Sequence, residues 1–152
     1  MSNLVIDIGN TRTKAAVFRN DEMSAHFVWE KCTREEISEV IANHRVENVI
    51  LSVVGPPMEE SLRQWLASQV RFIELTPATR LPFQNLYGTP ATLGKDRIAA
   101  VAGAFARFPG QNCLVIDAGT CITYDVLTAE GAYLGGNISP GIAMRFKALP
   151  AF

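Results

Sequence analysis

Two segments of the sequence repeat one chemical pattern: an apolar run, an aspartate, a glycine two residues later, a hydroxyl-rich turn and a second apolar run. The first copy reads LVIDIG from Leu4, and the second reads LVIDAG from Leu114. A buried strand that delivers a carboxylate into a tight glycine turn is suited to facing phosphate and a metal ion. Two copies indicate two lobes that grip one nucleotide.

The first turn offers what phosphoryl transfer requires, namely positioning, a metal ligand and donors that neutralise charge. Asp7 can hold Mg²⁺ directly or through water, because hard cations prefer carboxylate oxygen. Gly9 lets the backbone turn sharply and approach an anion closely. The candidate phosphate-binding residues combine main-chain amides, polar side chains and two cations: Asp7, Ile8, Gly9, Asn10, Thr11, Arg12, Thr13 and Lys14.

The second turn repeats the aspartate, glycine and hydroxyls as Asp117, Gly119, Thr120 and Thr123. It has no lysine, so it is better suited to cradle a metal or polyphosphate than to clamp a terminal phosphate. Asp-x-Gly after a strand is also a common plain hairpin, since both residues favour turns. The repetition favours the phosphate interpretation, although the chain contains neither a G-x-x-x-x-G-K-[ST] nor a G-x-G-x-x-G motif.

The amino-acid composition predicts a globular protein and argues against nucleic-acid-binding and membrane proteins. The 152 residues are 48% hydrophobic and 19% charged, with a net charge of -1. This is typical of a soluble globular protein and indicates neither a nucleic-acid groove nor a membrane surface. Three cysteines without metal-ligand spacing predict reduced, buried thiols in a cytoplasmic protein. The longest apolar stretch is too short to span a bilayer, and the N-terminus lacks the basic region of a signal peptide.

Hydrophobic periodicity predicts the elements that must position these turns. Strands are predicted over 4–7, 13–18, 23–30, 46–54, 72–75, 114–117, 124–127 and 132–138. Helices are predicted after a capping box at Thr33 and over 58–70, 96–108 and 142–149. Residues 76–95 are rich in proline and glycine without periodicity, which predicts a long functional or disordered loop. The order is βββαβαβ and a helix, followed by βββα.

Four motifs follow one another along the chain: DIGNT from Asp7, GKDR from Gly94, DAGT from Asp117 and GGNISPG from Gly135. In this order they closely resemble the type III pantothenate kinases, which begin coenzyme A synthesis, and the likeness covers essentially the whole chain. The resemblance implies an α/β fold of the actin-like ATPase, ribonuclease H-like kind (the ASKHA superfamily). Its duplicated βββαβαβ lobes would be residues 1–110 and, as an incomplete second lobe, residues 111–152.

The same resemblance implies a role for each motif. Residues 7–14 bind the ATP phosphates, and Thr120 contacts ATP. Asp117 binds a monovalent cation, potassium or ammonium, in addition to the Mg²⁺ that accompanies ATP. Asp96 is the catalytic base. Pantothenate is bound by Tyr87, Gly94, Lys95, Asp96 and Arg97.

Elementary chemistry supports these roles but leaves alternatives open. Arg97 can grip the pantothenate carboxylate as a planar fork, and Asp96 can accept the proton of the hydroxyl that attacks phosphate. Asp96 also has the position of a plain helix N-cap, and Arg97 that of a solvated first-turn residue. Tyr87 could equally anchor its loop on the core.

The predicted reaction is ATP-dependent phosphorylation of pantothenate to 4′-phosphopantothenate, by a homodimer, with no nucleic-acid or membrane partner. One alternative is a non-enzymatic transcriptional regulator resembling the Bvg accessory factors. Another is a kinase of the same superfamily that acts on a sugar or carboxylate, against which the GKDR motif argues.

Overall fold

The computed structural model describes residues 1–149, which form two compact units divided after Thr76. The first unit is a five-stranded sheet in the order β3-β2-β1-β4-β5, with two helices. The two hairpins of β1, β2 and β3 are antiparallel, whereas β1–β4 and β4–β5 are parallel. Its elements are β1 (Ser2–Ile8), β2 (Thr13–Arg19), β3 (Glu22–Trp29), α1 (Arg34–His44), β4 (Asn48–Val53), α2 (Glu60–Gln69) and β5 (Arg71–Glu74).

The core of this unit follows from strand alternation. Leu4, Ile6 and Ile8 point to one face of β1 and are buried against α1 and α2. The intervening positions, including Asp7, therefore face the opposite side of the sheet. A shift of one residue in the register would exchange the two faces, so the apolar pattern determines where Asp7 points.

The capping box predicted at Thr33 is confirmed. The Glu36 amide donates to Thr33 Oγ1 at 3.3 Å, and the Thr33 amide donates to Glu36 Oε2 at 3.0 Å. These two bonds satisfy backbone donors that the first turn of α1 leaves without helical partners.

The second unit, from Pro77 onward, contains a sheet in the order β6-β9-β8-β7. Its elements are β6 (Gln84–Asn85), α3 (Lys95–Arg107), β7 (Cys113–Ala118), β8 (Cys121–Leu127), β9 (Ala132–Pro140) and α4 (Ile142–Ala148). A short 3₁₀ turn, Pro90–Thr92, precedes α3. Helix α3 packs against β7 and β8, with Ile98 and Val101 buried.

Three features differ from the sequence prediction. The proline-rich segment 76–95 is not structureless, because β6 adds to the sheet through a bond from the Leu86 amide to Tyr133 O at 2.9 Å. The second hydroxyl-rich turn is tighter than predicted, since β8 already begins at Cys121. Helix α3 packs within the second unit, whereas the prediction placed it with the first lobe. The last three residues of the predicted second domain lie outside the described range.

All three cysteines are free thiols, as predicted, but their burial differs from the prediction. Cys32 and Cys113 are only half-buried, and Cys121 is exposed because it lies at the start of β8 beside the turn. Across residues 1–149, no helix has the length and apolar character needed to cross a membrane.

Candidate active site

The turn between β1 and β2 is closed by its own backbone and supported by β4. The Gly9 amide donates to Arg12 O at 3.1 Å. The amides of Val54 and Gly55, just after β4, both donate to Ile8 O at 2.9 Å. A side chain at Gly55 would overlap Gly9 O, so only glycine allows this close approach. The turn is therefore held in place by the end of β4, which follows β2, β3 and α1 along the chain.

Three polar side chains form a row across the face of this sheet opposite its core. Asp7 is in register with Lys14 on β2 and with Ser52 on β4. Partners in register project to the same face, so a cation, a carboxylate and a hydroxyl are neighbours there. Ser52 is 6% exposed, and its hydroxyl has no hydrogen-bond partner within residues 1–149.

This row fits a magnesium ion that arrives with a nucleotide. Mg²⁺ is commonly held by one or two carboxylates together with phosphates and waters, rather than by an all-protein cage. Asp7 supplies such a carboxylate beside a turn of backbone amides. Within residues 1–149, no group of three His, Cys, Asp or Glu side chains is placed to hold a metal ion.

The second turn is closed by a bond from the Gly119 amide to Cys121 O at 2.9 Å. Asp117 and Thr120 are both exposed at this turn. The Gly141 amide donates to Thr120 O at 2.9 Å, and a side chain at Gly141 would overlap the carbonyl oxygens of Gly119 and Thr120. The glycine-rich end of β9 thus packs directly on the turn.

The GKDR motif begins α3, although Asp96 is not its N-cap. Gly94 has that position, without a side-chain cap, and Asp96 is the second helical residue. Asp96 Oδ1 accepts a bond from the Arg97 amide at 2.9 Å, and a Cβ on Gly94 would lie 2.5 Å from the same oxygen. Among the described residues, Asp96 Oδ2 accepts no hydrogen bond, which suits a proton acceptor.

Arg97 is buried rather than solvated. Its Nε lies 3.1 Å from both carboxylate oxygens of Asp125 on β8, and its Nη2 lies 2.6 Å from Oδ1. The Tyr133 hydroxyl on β9 donates to the same Oδ1 at 2.6 Å. The hydrogen bond with Asp125 raises the pKa of Arg97, while burial raises the pKa of Tyr133, with a further contribution from Asp125. At neutral pH, the arginine is charged and the tyrosine is a donor.

Tyr87 completes this arrangement, and we call Tyr87, Arg97, Asp125 and Tyr133 the Asp125 cluster. The Tyr87 ring stacks on Tyr133 with centroids 6.3 Å apart and planes 8° apart. The guanidinium carbon of Arg97 lies 5.4 Å from the Tyr87 centroid. Gly135 has φ +91, and a Cβ there would lie 2.6 Å from Tyr87 Cδ2. The tyrosine therefore lies against a glycine that no other residue could replace without strain.

Residues 3–151 match the family model described as type III pantothenate kinase. The chain belongs to this family. It is similar to the type III pantothenate kinases of Christiangramia forsetii, at 47% identity, and of Phocaeicola vulgatus, at 44%. Each alignment covers 99% of this chain and 62% of the relative. This type III pantothenate kinase sequence thus spans about three-fifths of the length of the curated relatives it matches.

Solved structures place the type III pantothenate kinase chain in the actin-like ATPase fold. A Campylobacter jejuni protein assigned to the Baf family of transcriptional activators aligns with TM-score 0.57 and 28% identity, covering 97% of this chain and 59% of the other. An Aquifex aeolicus member of the Ppx/GppA family aligns with TM-score 0.53, covering 97% and 54%. The latter is 14% identical and supports the fold alone. The α/β prediction of the ASKHA fold is confirmed.

The structure brings some of the predicted site residues of this chain together and adds others. Asp7 and Lys14 are neighbours in one unit, while Tyr87, Asp96 and Arg97 converge in the other. Sequence reasoning missed Asp125, Tyr133, Ser52 and Gly55. Asp125 had a detectable signal, because it lies between Thr123 and Leu127 on the inward face of an apolar strand, and an unpaired carboxylate is almost never buried there.

Proposed function

We propose that the protein carrying this chain transfers the γ-phosphoryl group of ATP to the primary hydroxyl of pantothenate, forming 4′-phosphopantothenate in coenzyme A synthesis. The observation that carries the proposal is the family match over residues 3–151, with Asp7, Asp96 and Asp117 all present at their motif positions. Further proposals are that the enzyme acts as a cytoplasmic homodimer and needs a monovalent cation at Asp117.

The amides and side chains of residues 7–14 bind the ATP phosphates, with Lys14 and Arg12 exposed and able to reach them. Asp7 would hold Mg²⁺, directly or through water, and the ion would neutralise charge on the transferring phosphoryl group. Thr120 contacts the nucleotide. Oxygen donors at Asp117 suit the monovalent ion, potassium or ammonium.

The acceptor is bound in the second unit by Tyr87 and by the motif from Gly94 to Arg97. The half-buried Asp96 takes the proton of the primary hydroxyl as the bond to phosphorus forms. Lys95 and the part of the Arg97 guanidinium not engaged with Asp125 supply positive charge for the pantothenate carboxylate.

The test is ADP release by the full-length natural protein with ATP, Mg²⁺ and KCl, measured with and without pantothenate, together with the mass of the product. Pantothenate-dependent ADP release with a product heavier by one phosphoryl group is the expected result. Acetate and hexoses serve as competing acceptors. Turnover of one of these instead would assign a different kinase, and no turnover with folded protein that binds ATP would favour a regulatory role.

A further inference from the structure

The carboxylate of Asp125 is buried, which carries a free-energy cost of desolvation. It is 1% exposed in the middle of β8, and burying a charge is unfavourable unless partners replace its hydration. Three donor groups do so: Nε and Nη2 of Arg97 and the hydroxyl of Tyr133. Arg97 is itself 5% exposed and Tyr133 is fully buried. The side chains of Asp125, Arg97 and Tyr133 therefore hydrogen-bond to one another and not to water.

The cluster holds the proposed acceptor residues from two directions. Tyr133 stacks on Tyr87, and the β9 backbone that carries Tyr133 also accepts the Leu86 amide at 2.9 Å. The Arg97 guanidinium lies over the Tyr87 ring, and the Arg97 backbone amide donates to Asp96 Oδ1. The contacts of Tyr133 run from β9 to the loop that carries Tyr87, and those of Arg97 lie at the start of α3. Loops and helix starts are otherwise the least constrained positions.

The side chain of Arg97 is engaged along one edge. Guanidinium has five N–H donors, and Asp125 takes the Nε donor and one on Nη2. This Nε/Nη2 edge is one of the two edges that a guanidinium can offer to a carboxylate as a planar fork. Arg97 therefore acts first as an anchor, and only its remaining Nη donors can meet a substrate.

We propose that Asp125, together with Tyr133, is a positioning residue for the acceptor site, holding Arg97 and Tyr87 so that Asp96 and the tyrosine ring present one prearranged surface to the substrate. This inference rests on the proposed function for its substrate, but its geometry lies wholly in the second unit. It assigns a task to Asp125 on β8, which lies eight residues beyond Asp117 of the DAGT motif.

The decisive variant is Tyr133→Phe, which removes one hydroxyl and keeps the ring. The matched control is Tyr124→Phe, also on this sheet but half-buried on the opposite face of β8. In the full-length protein, Tyr133→Phe should raise KM for pantothenate about tenfold or more, since hydrogen bonds to charged groups are among the stronger ones. KM for ATP should change by no more than about twofold, which is far smaller than the tenfold change expected for pantothenate. Tyr124→Phe should change neither.

A second measurement, hydrogen exchange, tests without any substrate whether the Asp125 cluster orders the neighbouring loop. Hydrogen exchange at the amides of Gln84 and Leu86, which bond to Gly131 O and Tyr133 O, should speed up in Tyr133→Phe and not in Tyr124→Phe. Faster exchange with unchanged KM for pantothenate would overturn the positioning role and leave a structural one. Unchanged exchange and unchanged KM would overturn it outright. If the wild-type enzyme does not phosphorylate pantothenate, the proposed function fails, while the exchange result still decides whether the cluster orders the loop.

Discussion

In the buried part of the second unit, Arg97 Nη2 donates to Asp125 Oδ1 at 2.6 Å, across 28 residues of sequence. The side chains are 5% and 1% exposed. A buried ion pair adds little stability relative to a well-packed apolar pair, but losing one partner leaves an uncompensated charge. Correct packing of α3 on β8 therefore depends on both residues.

Asp125→Asn should lower the free energy of unfolding by about 3–5 kcal/mol, because Arg97 would remain buried without its counter-charge. Urea denaturation followed by circular dichroism measures the change. Asp21→Asn, at an exposed turn position with positive φ that asparagine also tolerates, is the control and should have almost no effect. A loss for Asp125→Asn as small as that of the control would contradict the importance of the pair.

Asp96→Asn should lower kcat with pantothenate by roughly 10²- to 10⁴-fold, the range typical of a general base. The amide is nearly the same size and can still accept from the Arg97 amide, so KM should change little. Steady-state ADP release by the full-length enzyme gives both constants. Retention of wild-type kcat would sink the assignment of the base.

Gly55→Ala should raise KM for ATP about tenfold or more, since each 1.4 kcal/mol lost in binding is a factor of ten. The new methyl group would overlap Gly9 O and displace the turn between β1 and β2, to which we assign the ATP phosphates. Gly103→Ala is the matched control, because nothing lies within 4 Å of a Cβ at that helical position. The control should keep ATP affinity and gain slightly in stability. Nucleotide titration by calorimetry distinguishes them, and equal affinities in both variants would refute the close-approach argument.

Asp117→Asn should abolish or weaken the dependence of turnover on potassium. The exposed carboxylate is the oxygen donor that we assign to the monovalent cation, and an amide oxygen carries no charge to attract it. Turnover is measured against KCl concentration at constant ionic strength, with choline chloride as the balancing salt. A potassium response like that of the wild type would remove Asp117 from the cation site.

The thiol of Cys32 should react only slowly with alkylating agents at pH 8. Burial raises its pKa from 9.0 to about 12, with Glu36 adding a smaller increase, so little reactive thiolate is present. The exposed Cys121 is the internal comparison and should react first. Mass spectrometry after timed labelling resolves the two, and rapid labelling of Cys32 in the folded protein would contradict the shift.

The raised pKa of the Cys32 thiol also predicts that the free energy of unfolding depends on pH. The folded thiol keeps its proton at a higher pH than the unfolded thiol does, so its contribution is fully present below pH 9.0 and declines as pH rises toward about 12. Cys32→Ala should flatten this part of the curve of unfolding free energy against pH. If the unfolding free energy of Cys32→Ala fell with pH as steeply as that of the wild type, the raised pKa of Cys32 would be contradicted.

Local patterns were sufficient for most elements of this chain. Alternation in Leu4, Ile6 and Ile8 predicted a strand and its buried face, and the Thr33–Glu36 box predicted where α1 begins. These signals are readable because the interacting residues lie within a few positions of one another. The repeated aspartate–glycine turns are equally local, and so is each of the four motifs whose order along the chain resembles the family.

The arrangement of the candidate site residues was decided only by tertiary structure. Asp125 meets Arg97 because β8 packs against α3, and Gly55 approaches Gly9 because β4 pairs in parallel with β1. The two-residue strand β6 exists only because β9 offers its edge to a loop without periodicity of its own. The sequence alone determined which groups could do chemistry. Long-range packing decided which of them are exposed, like Asp117, and which, like Arg97, are buried against a partner that no spacing rule could have named.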